Sequence, residues 1–188
     1  MHVLEPFYQW REIYRAEEDA LSPFYGRIYS EFHFENRIYN YYIHPQWDEF
    51  GSSTLYAKIL YADYEQSFVI IELLGEWNDL LYNDIMHFKR EVIDILLEEG
   101  IQHFILIGEN VMQAFPDEGD YYTEWAEEAE EGWIACIQFR PHVLSDFSRY
   151  GLSPYLHWGG ELDDLAWRKY NPFLLYKKIS DIVAHRLA

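Results

Sequence analysis

From residue 54 onward the apolar and polar positions switch repeatedly between two periods. Thr54–Ala62 alternates, with Leu55, Ala57, Ile59 and Tyr61 on one side, and a period of two predicts a strand. Ser67–Leu74 is a near-continuous apolar run, as in a strand covered on both faces. Asp63–Gln66 joins the two as a short turn. Leu81, Ile85, Phe88, Val92 and Ile95 then recur at spacings of four, three, four and three, the stripe of an amphipathic helix. Asn78 can cap its start and Gly100 its end. His103–Ile107 reads as a further buried strand. Asp117–Gly132 is a second helix candidate, with Tyr121, Trp125 and Ala129 as its stripe and Asp120 or Thr123 as its cap.

The remainder continues in the same style. Trp133–Phe139 is a strand. Pro141 opens a helix to about Tyr150, closed by Gly151. Tyr155–Trp158 reads as a short strand and Glu161–Lys169 as a short helix. Asn171-Pro172 starts a final helix to about Leu187, with Leu175, Ile179, Ile182 and Val183 on its inner face. Such alternation predicts an α/β fold with a mainly parallel central sheet flanked by helices. Residues 1–50 form an N-terminal extension, with a helical tendency around Trp10–Ala20. Arg27–Phe34 and Arg37–His44 make a β-hairpin about Glu35-Asn36. Pro45 and Gly51-Ser52-Ser53 mark a boundary, so the main domain spans 51–188 and ends in an extra C-terminal helix.

Composition narrows the function. Of 188 residues, 49% are apolar and 19% aromatic, which excludes a disordered chain. The formal net charge of −19 repels nucleic acid and anionic membranes and favours a protein partner with a basic surface. No Lys or Arg occurs between Arg90 and Arg140, while thirteen acids do. The single cysteine, Cys136, sits in an apolar run and is expected in the core. With no signal-peptide pattern and no run long enough to span a bilayer, a cytoplasmic location is the expectation.

Residues 54–168 resemble a STAS-like domain, the fold of anti-sigma-factor antagonists of the SpoIIAA-like superfamily. The resemblance is carried by serial order. Val69–Asn78 is similar to the family's apolar strand followed by Gly-Glu-Leu-Asp, and the next helix and the strand His103–Ile107 keep its spacing. So do Ile134–Phe139, Pro141–Phe147 and Tyr150-Gly151-Leu152. The short strand and the helix Glu161–Ala166 also have counterparts, whereas residues 1–50 and the last helix have none. The resemblance implies a regulatory role. The family's phosphoacceptor serine, in Asp-Ser-Ser-Gly, has no hydroxyl counterpart in Phe115-Pro116-Asp117-Glu118-Gly119. Asp117 or Glu118 stands in its place, either as a fixed imitation of the phosphorylated state or, the favoured reading, as capping at a helix start.

Catalytic, metal and cofactor signals are not found. No histidine pair has zinc-helix spacing, no Gly-x-Ser-x-Gly elbow occurs, and no phosphate-cradling loop is present. The leading expectation is a non-enzymatic regulatory or scaffolding protein that binds a basic partner through the acidic helix at 117–131. Its interaction residues are Asp117, Glu118, Tyr121, Tyr122, Trp125 and Glu128, with the aromatics as anchors. The alternative is a small-molecule or carbohydrate-binding enzyme with an unidentified carboxylate pair. Self-association through the tyrosine-rich Arg27–His44 is a third expectation.

Overall fold

A computed structural model describes residues 2–187. Its centre is a four-stranded sheet whose strands lie side by side in chain order. The strands are β4 (Leu55–Asp63), β5 (Phe68–Asn78), β6 (His103–Phe115) and β7 (Trp133–Ile137). β4 and β5 are antiparallel, and the β5–β6 and β6–β7 pairs are parallel. The expected mixed α/β fold, a mainly parallel sheet flanked by helices, is what forms. A small sheet, β1 (His2–Leu4), β3 (Tyr41–Ile43) and β2 (Arg37–Ile38), stands beside it.

The pleat divides the core into two layers, because successive side chains leave a strand on opposite sides. Val69, Ile71, Leu73, Phe104, Leu106, Ile134 and Cys136 face one layer. It is covered by α2 (Asp84–Phe88), a π-helical turn (Lys89–Ile93), α3 (Asp94–Glu98), α4 (Asp120–Glu128) and α5 (Pro141–Arg149). Phe68, Ile70, Ile105, Ile107, Trp133, Ala135 and Ile137 face the other, covered by α6 (Pro172–Leu187) with Trp10 and Trp167. Cys136 is fully buried, as expected, and burial pushes its thiol pKa up.

The amphipathic segment after β5 is broken rather than continuous. α1 (Asp79–Tyr82) is a single turn whose end, Asn83, lies in the left-handed region at φ 55°. Leu81, the first residue of the expected stripe, is therefore cut off from the core and 77% exposed. The π turn then shifts the register. Its wider i→i+5 spacing follows Ile85, Phe88 and Val92 with Ile93 and Leu96 on the buried side, leaving Ile95 half-buried. The expected cap is present, since the Asn78 side chain accepts the Leu81 N–H at 3.0 Å. Asn78→Ala should cost about 1 kcal/mol of stability in urea titration, the usual loss for an N-cap.

Other local expectations are corrected. Residues 10–20 form successive turns, not a helix: Trp10 joins the α6 layer while Ala16 and Phe24 join the other. A segment wrapping the β4 edge to serve both layers cannot use the single apolar face of a helix. The hairpin turns at Tyr39-Asn40, inside the second expected strand, with Tyr39 at φ 52°, and 27–34 forms no strand. His157 makes one bridge to Ala135 rather than a strand. Residues 161–169 give two 3-10 turns, Gly160–Leu162 and Trp167–Lys169. The final helix forms as expected, and Asn171 Oδ1 accepts the Leu174 N–H at 2.9 Å.

β5 and β6 outrun β7. Their pairing continues from Leu74↔Asn110 to Asn78↔Phe115, past the last β7 partner at Ile107. At Gly75, φ 125°, an added Cβ would meet the Thr54 carbonyl oxygen at 2.0 Å, so only glycine fits where β4 crosses. The projecting pair delivers α1 and the 116–119 loop to one end of the molecule.

Candidate functional site

Two inward-facing carboxylates organise that end. Asp84 is fully buried. It accepts hydrogen bonds from the Ser52 hydroxyl, from Thr54 Oγ1 at 2.7 Å and from the Asn78 N–H at 2.8 Å. Asp79 accepts from Tyr122 Oη at 2.6 Å, the Ile85 N–H at 2.9 Å and the Asp117 N–H at 3.3 Å. Burial raises its pKa to about 6, with those hydrogen bonds opposing the rise. One side chain thus ties α1, α2, the 116–119 loop and α4 together.

Turning Asp79 inward turns the rest of α1 outward. Leu80, Leu81 and Tyr82 are 52%, 77% and 45% exposed, and Phe115, paired with Asn78 at the end of β6, is 42% exposed.

α4 begins beside them. Its cap residue is Gly119, and no side chain caps it. Asp117 instead accepts the N–H of Glu118 at 2.8 Å, and Thr123 donates to the Gly119 carbonyl at 3.3 Å. The capping role expected of Asp117, Glu118, Asp120 or Thr123 is therefore not what these side chains do. Asp117, Glu118 and Asp120 are exposed.

The sequence-derived interaction residues divide in two. Tyr122 and Trp125 are fully buried, Tyr122 against Trp77 and Trp125 edge-on to Phe88 and Phe104. They are core residues and cannot anchor a partner from this position. Of the expected stripe, Trp125 and Ala129 are buried, whereas Tyr122 takes the buried place expected of Tyr121, which is left half-buried beneath the Arg90 guanidinium.

Glu128, also expected at an interface, is already engaged. The Lys89 side chain is completely buried, and its ammonium emerges among carboxylates. It bonds Asp94 and Glu128, the latter at 2.5 Å, and lies 3.4 Å from Glu124. Burial works against its charge, but the bonds to Asp94 and Glu128 outweigh it, so its pKa is raised. Arg90 adds bonds to Asp94 and Glu124. Asp94, Glu124 and Glu128 converge within 4.8 Å, close enough to hold a metal ion, and Lys89 is the counter-charge standing among them. One side of the helix without a base, Glu124 and Glu128, is thus answered from the π turn. Its signal in the sequence was Lys89-Arg90, immediately before the base-free stretch.

Two further buried ionisable groups lie on the α6 side of the sheet. Glu72 is 1% exposed and accepts the Phe7 N–H at 2.8 Å; burial is the main cause raising its pKa to about 7. Lys58, opposite Glu72 on β4, has its ammonium 3.7 Å from Asp48, 4.0 Å from Glu17 and 4.0 Å from the Tyr29 ring centre.

No protein-family model and no curated protein sequence matches the chain. Among solved structures, the anti-sigma factor antagonist SpoIIAA in its unphosphorylated form is similar at 17% identity. The match covers 53% of this chain and 85% of that one, with a TM-score of 0.38. The phosphorylated form of SpoIIAA, described as a Bacillus cell fate determinant, matches at 14% identity, with 53% and 88% coverage and a TM-score of 0.34. No helix among the described residues is long and apolar enough to cross a membrane.

Proposed function

We propose that this chain is a non-enzymatic, cytoplasmic regulatory or scaffolding protein that binds a basic protein partner through α4 and the loop before it. One observation carries the reading: the acids of this region fall into two sets. Glu124 and Glu128 are answered by Lys89 and Arg90. Asp117, Glu118, Asp120, Glu127 and Glu131 are exposed and make no ion pair with any described residue. Unanswered charge on α4 and on the segments flanking it attracts a complementary surface and speeds encounter. Whether Asp117 or Glu118 acts as a standing imitation of a phosphorylated residue belongs to the same proposal. The test is a partner recovered from the native cell. Asp120→Lys with Glu127→Lys should slow its association roughly tenfold at low salt in surface plasmon resonance, and added salt should erase the difference. An unchanged, salt-independent rate would remove α4 from the interface.

The enzyme reading has one observation in its favour. A cleft of about 510 Å³ is lined by Tyr29, Trp47, Tyr56, Asp48 and Glu49 among others. Its buried carboxylate is half engaged: Asp48 Oδ1 accepts from Tyr29 Oη at 2.6 Å and from an Arg27 N–H at 3.3 Å, while Oδ2 has no hydrogen-bond partner and faces the Lys58 ammonium at 3.7 Å. Self-association is proposed through the same segment, where Ile28 and Phe32 are 96% and 87% exposed.

A further inference from the structure

α1 is built inside out. A surface helix normally buries its apolar residues and exposes its acids. Here the acid, Asp79, is 5% exposed, while Leu80, Leu81 and Tyr82 face water. The arrangement is firmly held: Asn78 caps the turn, Asn83 closes it with its N–H on the Asp79 carbonyl, and Asp79 and Asp84 accept three hydrogen bonds each. Those bonds fix which side faces out. They place no demand on what the outward residues are, and polar side chains would serve the fold as well. Three consecutive exposed apolar residues on an ordered turn therefore indicate a contact surface.

We infer that Leu80, Leu81 and Tyr82, continued by Phe115, are the apolar anchor on which a basic amphipathic helix of the protein partner docks. This deepens the proposed function and rests on it. Charge complementarity selects the occupant. The patch is bordered by exposed Asp117, Glu118 and Asp120, and no Lys or Arg lies between Leu80 and Phe88. The first basic residues beyond, Lys89 and Arg90, are held by Asp94, Glu124 and Glu128. An apolar stripe edged by lysine or arginine would cover the leucines and meet the acids together. Asp79 connects the two halves, since the side chain that turns α1 outward also receives the Asp117 N–H and the Tyr122 hydroxyl.

The probe is a short amphipathic Leu/Lys helical peptide, with a Leu/Glu peptide and a scrambled Leu/Lys peptide as controls, titrated into the full chain and followed by backbone amide NMR. The expected result is binding of the amphipathic basic peptide alone, with shifts concentrated at Leu80–Tyr82 and Phe115–Asp120. Leu80→Ser with Leu81→Ser, both solvent-facing and so compatible with folding, should weaken it roughly tenfold. Equal binding of the scrambled peptide, or unchanged affinity of the double variant, would mean that charge alone binds; the anchor would then be wrong while the acidic surface stood. Absence of binding by either basic peptide would overturn both. A dimer in sedimentation that the double variant abolishes would make a second copy the occupant and overturn the inference.

Discussion

Replacing Lys89 by methionine should lower folding stability by about 2 kcal/mol, less than the loss from a fully buried pair because Asp94, Glu124 and Glu128 stay partly solvated. Methionine keeps the buried stem, so the loss isolates the ammonium. Without it, Asp94, Glu124 and Glu128 still converge within 4.8 Å, with only the exposed Arg90 to answer them. Like charges at that separation repel. Urea titration should show the loss at neutral pH and low salt, with partial recovery in high salt and at acidic pH as the carboxylates protonate. Adding Glu128→Gln to Lys89→Met should restore a substantial part, giving a large coupling energy in a double-mutant cycle. An additive cycle would show that Lys89 acts only through its packed stem.

Glu72→Gln should have the opposite sign. A carboxylate whose pKa is about 7 in the folded protein, against an ordinary 4.5, favours folding more when protonated than when ionised. Its contribution is fully present below about pH 4.5, is lost as pH rises through 7, and stays lost above. Glutamine has the same shape, cannot ionise, and still accepts the Phe7 N–H; the Asn110 amide, 3.4 Å away, can turn to suit it. The variant should thus be more stable by about 3 kcal/mol at pH 8 and near wild type at pH 4.5. Asp79, with a pKa of about 6, slopes the same way and remains in the variant, so the residual pH dependence reports on it. Equal stability of the two proteins at pH 8 would place Glu72 in contact with water.

The sheet and the last two long helices were legible because their signals are local and repeated. Ser67–Leu74, His103–Ile107 and Trp133–Phe139 are near-continuous apolar runs, broken inside only by Glu72 and Gln138, and Pro141 and Asn171-Pro172 announce helix starts. Strand ends were not legible. The expected strand His103–Ile107 stops short, whereas β6 continues to Phe115 because β5 is there to pair with it. The π turn was hidden as well, since one widened turn alters a helical stripe by a single residue. The site divided along the same line. The density of acid on α4 was visible, but a stripe of Tyr121 and Trp125 could not reveal that Tyr122 turns inward to reach Asp79, a contact across forty-three positions. Lys89 and Arg90 were visible as the last bases before Arg140, but their pairing depends on where the π turn puts α4. The inside-out α1 was least legible, because Leu81 fits an apolar stripe until Asn83 breaks the helix.

The single bridges at the two sides of the sheet have a consequence for the chain's behaviour in a crowded solution. Beside β7, His157 donates to the Ile134 carbonyl and accepts the Cys136 N–H, both at 2.8 Å. Beside β4, Asp48 and Ala57 exchange two backbone hydrogen bonds at 2.8 and 3.0 Å, and a bulge between Ile59 and Tyr61 interrupts the strand's regular pairing. An unguarded edge is a template on which another chain can add a strand, the first step toward fibrils. With a blocking residue at each side and a bulge on the longer one, the sheet ends at four strands. A chain with nearly half its residues apolar thereby keeps its most adhesive backbone closed, and mutual repulsion from a charge of −19 is a second safeguard that does not depend on it.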